Sequence, residues 1–129
     1  MKRVNVAPEG PRRYEGMFLV ESGLASREWD SVEKKLKEIV EKSGGTILSA
    51  GRWDERKLAY EIRGAKRATY WLCYFQAPSD VPGKIRATST LAETVLRSMV
   101  FALDKSEEIP ADVTTRRPTV AIGEDKEVH

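Results

Sequence analysis

Six consecutive residues, Tyr70-Trp71-Leu72-Cys73-Tyr74-Phe75, are apolar or aromatic with no charged position between them. Successive side chains of a strand point to opposite faces, so an extended run of this kind loads both faces of its sheet. Aromatic residues fit a pleated surface, and the run predicts a strand over residues 69–76. Trp71, Cys73 and Phe75 are its natural core set, leaving Tyr70, Leu72 and Tyr74 on the other face. Moving the register by one residue exchanges the two sets but leaves both faces apolar. Any fold containing this strand must therefore explain what covers each side.

The flanking segments supply partners. Residues 13–20 read as a first strand, with Tyr14, Phe18 and Val20 pointing one way and Met17 and Leu19 the other. Ser26 is expected to cap a helix, with Glu28 and Asp30 at the positive end of its dipole. Trp29, Val32, Leu36, Ile39 and Val40 recur at helical spacing, and Gly44-Gly45 ends the pattern. Residues 46–63 form a long irregular strand, with a bulge expected at Trp53-Asp54-Glu55-Arg56. Gly64 to Arg67 is expected to turn the chain into the aromatic strand. Beyond Pro78, Ser79 or Asp80 caps a second helix that tolerates Pro82 in its first turn. Its stripe of Val81, Ile85, Leu91 and Ala92 is weak. Residues 95–103 form a last strand, expected to bury Leu96, Val100 and Ala102 and to present Arg97, Met99 and Phe101.

Strand, helix, strand, strand, helix, strand is the order of the ferredoxin-like split β-α-β plan. The fold class expected is α+β: a four-stranded antiparallel sheet with two helices on one face. The 129 residues suit one such domain, placed at 12–104. A flexible N-terminal extension is expected at 1–11, and a disordered acidic tail at 105–129.

Both helices occupy one sheet face, so a water-facing opposite face should be polar. Instead, Met17, Leu19, Tyr70, Leu72, Tyr74, Met99 and Phe101 gather there. A patch of this size calls for cover by a partner protein, a nucleic acid or the chain's own tail. Surface aromatics can also stack across strands without binding anything.

Charge is distributed unevenly. Residues 12–103 hold 16 Lys and Arg against 12 Asp and Glu, whereas residues 104–129 hold 4 against 7. Within residues 51–67 the count is 6 against 3. Arg12, Arg13, Arg52, Arg56, Lys57, Arg63, Lys66 and Arg67 thus fall near one strand start and one hairpin, where guanidinium forks suit phosphate oxygens. Arg97 is the more pointed candidate, because it interrupts an apolar run where a charge needs water or a partner. The first helix balances five basic against five acidic residues and reads as a solvated face.

Catalytic chemistry has little to work with. The one histidine is the last residue, His129, and no phosphate loop, nucleophile elbow or metal-ligand spacing occurs. The one cysteine, Cys73, sits in the apolar run and reads as a small buried hydrophobe. No apolar stretch approaches a membrane span, and the first residues lack the apolar centre of a signal peptide. A non-enzyme is expected, with no cofactor, metal or small-molecule substrate, and the chain reads as soluble and intracellular.

The segment Arg56-Lys57-Leu58-Ala59-Tyr60-Glu61-Ile62-Arg63 resembles the signature of the bacterial small-subunit ribosomal protein six family. Arg13-Tyr14-Glu15, Trp53, Tyr70 and Val95-Leu96-Arg97-Ser98-Met99-Val100 extend the resemblance over residues 12–103. It implies a ferredoxin-like scaffold bound to the central domain of small-subunit ribosomal RNA, alongside the eighteenth protein of that subunit. By position it implies RNA contacts at Arg12, Arg13, Tyr14 and Arg97, with Arg56, Lys57, Lys66 and Arg67 behind them. The apolar face of Met17, Leu19, Tyr70, Leu72, Tyr74, Met99 and Phe101 would meet the partner protein. Asp54 stands where the family usually has glycine, and the terminal His129 predicts no glutamate lengthening of the tail. The rival expectation is a ligand-sensing or self-associating ferredoxin-like module whose open face covers a second copy.

Overall fold

The computed structural model describes residues 11–115. Of the expected extension over residues 1–11, all but Pro11 lies outside the described residues, as does the tail from residue 116 to His129. Strand β1 spans Arg12–Glu21, helix α1 Ser22–Arg27, helix α2 Trp29–Ser43, strand β2 Thr46–Ile62 and strand β3 Ala65–Ala77. Helix α3 (Val81–Leu91), strand β4 (Arg97–Ala102) and a single 3₁₀ turn, Val113–Thr115, complete it. The sheet order is β2-β3-β1-β4 and every pairing is antiparallel. This is the expected ferredoxin-like arrangement, with the first helical segment in two pieces.

That break is a departure from the sequence reading. Ser26 caps nothing and lies inside α1. The cap is Glu21, whose carboxylate accepts from the N–H groups of Gly23 and Leu24, both at 2.8 Å. These are orphan donors of a first helical turn, so a carboxylate one residue before the helix caps it five residues earlier than expected. Glu28, at φ −137° and ψ 43°, interrupts the helix before α2 begins. Gly44, at φ 113°, closes α2 in the left-handed conformation expected of a C-terminal glycine.

The hairpin between β2 and β3 turns on two residues, Arg63 (φ 48°) and Gly64 (φ 83°), with Ile62 opposite Ala65. Two positive φ values in a two-residue loop match the twist of antiparallel strands. The expected four-residue turn is therefore shorter, and β3 begins at Ala65. The irregularity expected in β2 is present, with register shifts between Ile47 and Ser49, Arg52 and Asp54, and Lys57 and Ile62.

The helix-covered face holds Tyr14, Phe18, Val20, Trp71, Cys73 and Phe75 against Val32, Leu36, Ile39 and Val40 of α2 and Val81 and Ile85 of α3. Phe18 meets Trp71 edge-on at 5.5 Å, and Trp71 Nε1 donates to Glu33 on α2 at 2.9 Å. Burial pushes the Cys73 thiol up well above its ordinary range, which keeps it a neutral core side chain.

The opposite face is apolar as expected, but it is not open. Met17, Leu19, Tyr70, Leu72 and Tyr74 are at most 2% exposed, and Met99 and Phe101 are half-buried. Leu58, Val113, Trp53, Ile62, Leu96, Leu103 and Ile109 close over them. Two devices provide this cover. Between the pairs Lys57–Arg67 and Ile62–Ala65, β2 has three more residues than β3, and the surplus brings Leu58 and Ile62 onto the face. The chain after β4 then folds back, and Val113 is only 3% exposed. Ser49 Oγ donates to Ala111 O at 3.3 Å, and a Cβ on Gly51 would stand 2.9 Å from Val113 Cγ2. The segment expected to leave the fold at Asp104 is thus packed on the sheet as far as Val113. Leu96, expected on the helix side, packs on this second face, because regular pairing in β4 begins only at Arg97.

Candidate nucleic-acid interface

The basic residues fall into two groups at opposite ends of β1. Arg12 and Arg13 line a groove of about 890 Å³ with Gln76, Ala102, Leu103, Asp104 and Lys105. Arg13 donates to the carbonyls of Asp104 (3.1 Å) and Lys105 (2.7 Å), so its guanidinium clamps the chain leaving β4. Arg12 stays exposed. Tyr14 does not join them at the surface. It is 5% exposed and stacks on Phe75 at 5.5 Å, so its ring serves the core rather than a nucleic-acid base.

Arg97 lies at the other end of the strand. It pairs opposite Leu19, seven residues along β1 from Arg12, or about 23 Å at the rise of a strand. The four positions that the family resemblance groups together are therefore one core residue and two separate basic patches.

The hairpin residues behave differently from one another. Arg56 Nε bonds Asp54 Oδ2 at 2.8 Å while its guanidinium lies 5.2 Å from the Trp53 ring centre. Partial burial acts to raise the Asp54 carboxyl, but the hydrogen bonds from Arg56 and the Glu55 N–H hold it below its ordinary value. Arg67 Nε bonds Glu55 Oε2 at 3.1 Å, and that contact holds Glu55 below its ordinary value too. Both pairs are partly exposed and add little to stability. They also occupy two of the cations expected to meet RNA, whereas Lys57 and Lys66 are exposed.

The structure also assembles a group that sequence spacing does not show. A groove of about 430 Å³ is lined by Arg63 from the hairpin turn, Arg86, Ser89 and Thr90 from α3, and Arg97 and Ser98 from β4. Arg63 donates to the carbonyl of Val95 and so bridges the turn to the loop before β4. Among the described residues, Arg63, Arg86 and Arg97 take part in no ion pair. Arg86 stands on a helix whose periodicity is weak, and nothing in its neighbours along the chain connects it to Arg97. The adjoining groove, which shares Arg63 and Leu96, carries Lys66 and Arg67 together with Glu21 and Glu93. Among the described residues, no cluster of three His, Cys, Asp or Glu could hold a metal ion, and no helix is long and apolar enough to cross a membrane.

These features define a class: a ferredoxin-like α+β domain whose polar chemistry is a set of arginines at the sheet ends. The sequence profile of the family Ribosomal protein S6 matches residues 13–102, from β1 through β4. A small ribosomal subunit protein bS6 from Clostridium botulinum (strain Loch Maree / Type A3) is 32% identical over 90 residues, covering 70% of this chain and 96% of the relative. One from Campylobacter lari is 31% identical over 100 residues, covering 78% and 81%. The crystal structure of 30S ribosomal protein S6 from Thermotoga maritima superimposes with a TM-score of 0.63 at 24% identity, covering 72% of this chain and 88% of that one. The chain belongs to the ribosomal protein S6 family.

Proposed function

We propose that this protein is a structural component of the small ribosomal subunit, working in the cytoplasm and binding the central domain of small-subunit ribosomal RNA. The family is non-enzymatic, and its members are small-subunit proteins that bind ribosomal RNA. The observation that carries the reading is the family match, which runs unbroken through all four strands and the helices between them. The mechanism we infer is positional. Guanidinium groups on a rigid sheet neutralise phosphates, releasing counterions and fixing orientation without reading base sequence.

Arg97, Arg12, Lys57 and Lys66 are the proposed contacts, with Arg56 and Arg67 available once their surface pairs with Asp54 and Glu55 exchange for phosphate. Arg13 supports the same patch from its clamp on residues 104–105. A partner protein, the eighteenth of the subunit, is proposed to meet the second sheet face. Met99 and Phe101 on the edge strand are the accessible part of that face, while Met17, Leu19, Tyr70, Leu72 and Tyr74 form the packed layer behind them. Because the chain covers most of that face itself, the rival reading, self-association through an open apolar face, is left with the same narrow Met99 and Phe101 edge.

Crosslinking in intact small subunits tests the proposal. Crosslinks from residues beside Arg97 and Arg12 to ribosomal RNA, and from the β4 edge to a small basic protein, are expected. A chain that sediments apart from small subunits at moderate salt would sink it.

A further inference from the structure

Ser89 is the feature of the groove that the fold alone does not explain. It lies on the third turn of α3, is 3% exposed, and among the described residues its Oγ has no hydrogen-bond partner. Buried hydroxyls almost always find one, because an unmet polar atom carries its full desolvation cost. Thr90, the next residue, meets the ordinary helical solution by donating to the Arg86 carbonyl at 2.9 Å. Ser89 instead lines a groove walled by three arginines from three different elements. Arg63 is held there by its bond to Val95 and by the positive φ of the turn, so its placement is built into the hairpin. Glu93, the carboxylate closest in sequence to this loop, lines the adjoining groove rather than this one.

A groove lined by an unpartnered serine and three arginines offers the donor types of a phosphate site: planar forks for charged oxygens and one O–H for a further lone pair. We propose that the groove formed by Arg63, Arg86, Ser89 and Arg97 receives a phosphodiester group of the RNA backbone. The inference rests on the RNA-binding reading above and deepens it, since it makes one contact a specific pocket rather than a diffuse basic surface. Free phosphate shares the same chemistry, and the experiment separates the two sources.

The full-length chain, alone and with its proposed protein partner, is titrated with a central-domain ribosomal RNA fragment across a range of salt. R86Q is expected to weaken binding and to lower the slope of log affinity against log salt by about one, as for one lost phosphate contact. S89A separates a ligand role from a structural one. It removes an unsatisfied buried atom, so its melting temperature should hold or rise while its RNA affinity falls about fivefold, the usual worth of one hydrogen bond. R12Q, at the far end of β1, also lowers the slope but does not alter the effect of S89A. If the wild-type chain binds the fragment with a normal salt dependence while R86Q and S89A match it, the groove is overturned and RNA binding stands. If the wild-type chain binds no RNA in either setting, the underlying reading fails and takes the pocket with it. Amide shifts at Ser89 and Arg97 on adding inorganic phosphate, with none on adding RNA, would assign the groove to a free anion and overturn the proposal.

Discussion

The two faces of this sheet are equally dry, yet they are covered by different kinds of structure. Two regular helices bury Phe18, Trp71 and Phe75 on one side. On the other, a surplus loop in β2 and the chain after β4 bury Met17, Leu72 and Tyr74. The first cover is assembled from amphipathic helices that present a continuous apolar stripe. The second uses isolated side chains, Leu58, Ile109 and Val113, on backbone with no period. The first is therefore expected to hold the fold together, and the second to be the layer that opens at lower free energy. The second layer also encloses a carboxylate. Glu15 is fully buried and accepts a 2.5 Å hydrogen bond from the Tyr74 hydroxyl.

The largest effect should fall on the helix side. Trp71→Ala removes a fully buried indole and its link to Glu33, and should cost about 4 kcal/mol in urea unfolding. Deleting residues 104–129 should cost less, about 3 kcal/mol, because it withdraws Ile109 and Val113 without touching strand pairing. The same deletion should increase binding of a hydrophobic dye. A deletion as costly as Trp71→Ala would break the comparison and make the returning chain a full structural layer. Gly51→Ala sharpens it, since the new methyl would collide with Val113. Faster hydrogen exchange is then expected in residues 111–115, with the strands unchanged.

Tyr74→Phe tests the buried polar pair at a smaller scale. It keeps the ring and removes one donor to a buried carboxylate that has further interactions, so a loss of about 1.5 kcal/mol is expected. Denaturant midpoints would measure it. No loss would mean that the hydroxyl contributes shape alone.

The same contrast explains what could be read from the residues. The α2 stripe, its glycine stop and the two-faced β3 strand follow from periods of 3.6 and 2, and all three stand in the structure. Those periods also gave the facing of Tyr14, Phe18, Met17 and Leu19 correctly. The cover of the second face has no period to read. Val113 lies after Pro110 in a polar segment, and its destination is visible only once Gly51 leaves a space for it. Arg97 was legible as a charge within an apolar run, but Arg63 and Arg86 reach it from a turn and a helix far apart along the chain. Tyr14 misled because the family resemblance groups it with Arg12 and Arg13, whereas strand alternation sends it to the core.

The smallest expected effect concerns the start of α1, where an acidic side chain replaces the serine cap expected five residues later in the chain. The N–H groups of Gly23 and then Leu24 hold the Glu21 carboxyl below its ordinary value, with Arg27 adding to the effect. A carboxyl lowered in the folded state binds its proton more readily when unfolded, so its stabilisation is present above the unfolded value. It declines as pH falls below about 4.3, the ordinary glutamate value, and is lost once the folded group titrates. Glu21 is exposed, so solvent screens the contribution, and Glu21→Gln should cost about 0.5 kcal/mol at pH 7. The difference between wild type and variant should shrink as pH falls below the ordinary glutamate value, and thermal melts at neutral and acid pH would show it. A gap that stays constant as the pH is lowered would mean that the charge is incidental and that the geometry of the turn alone starts the helix.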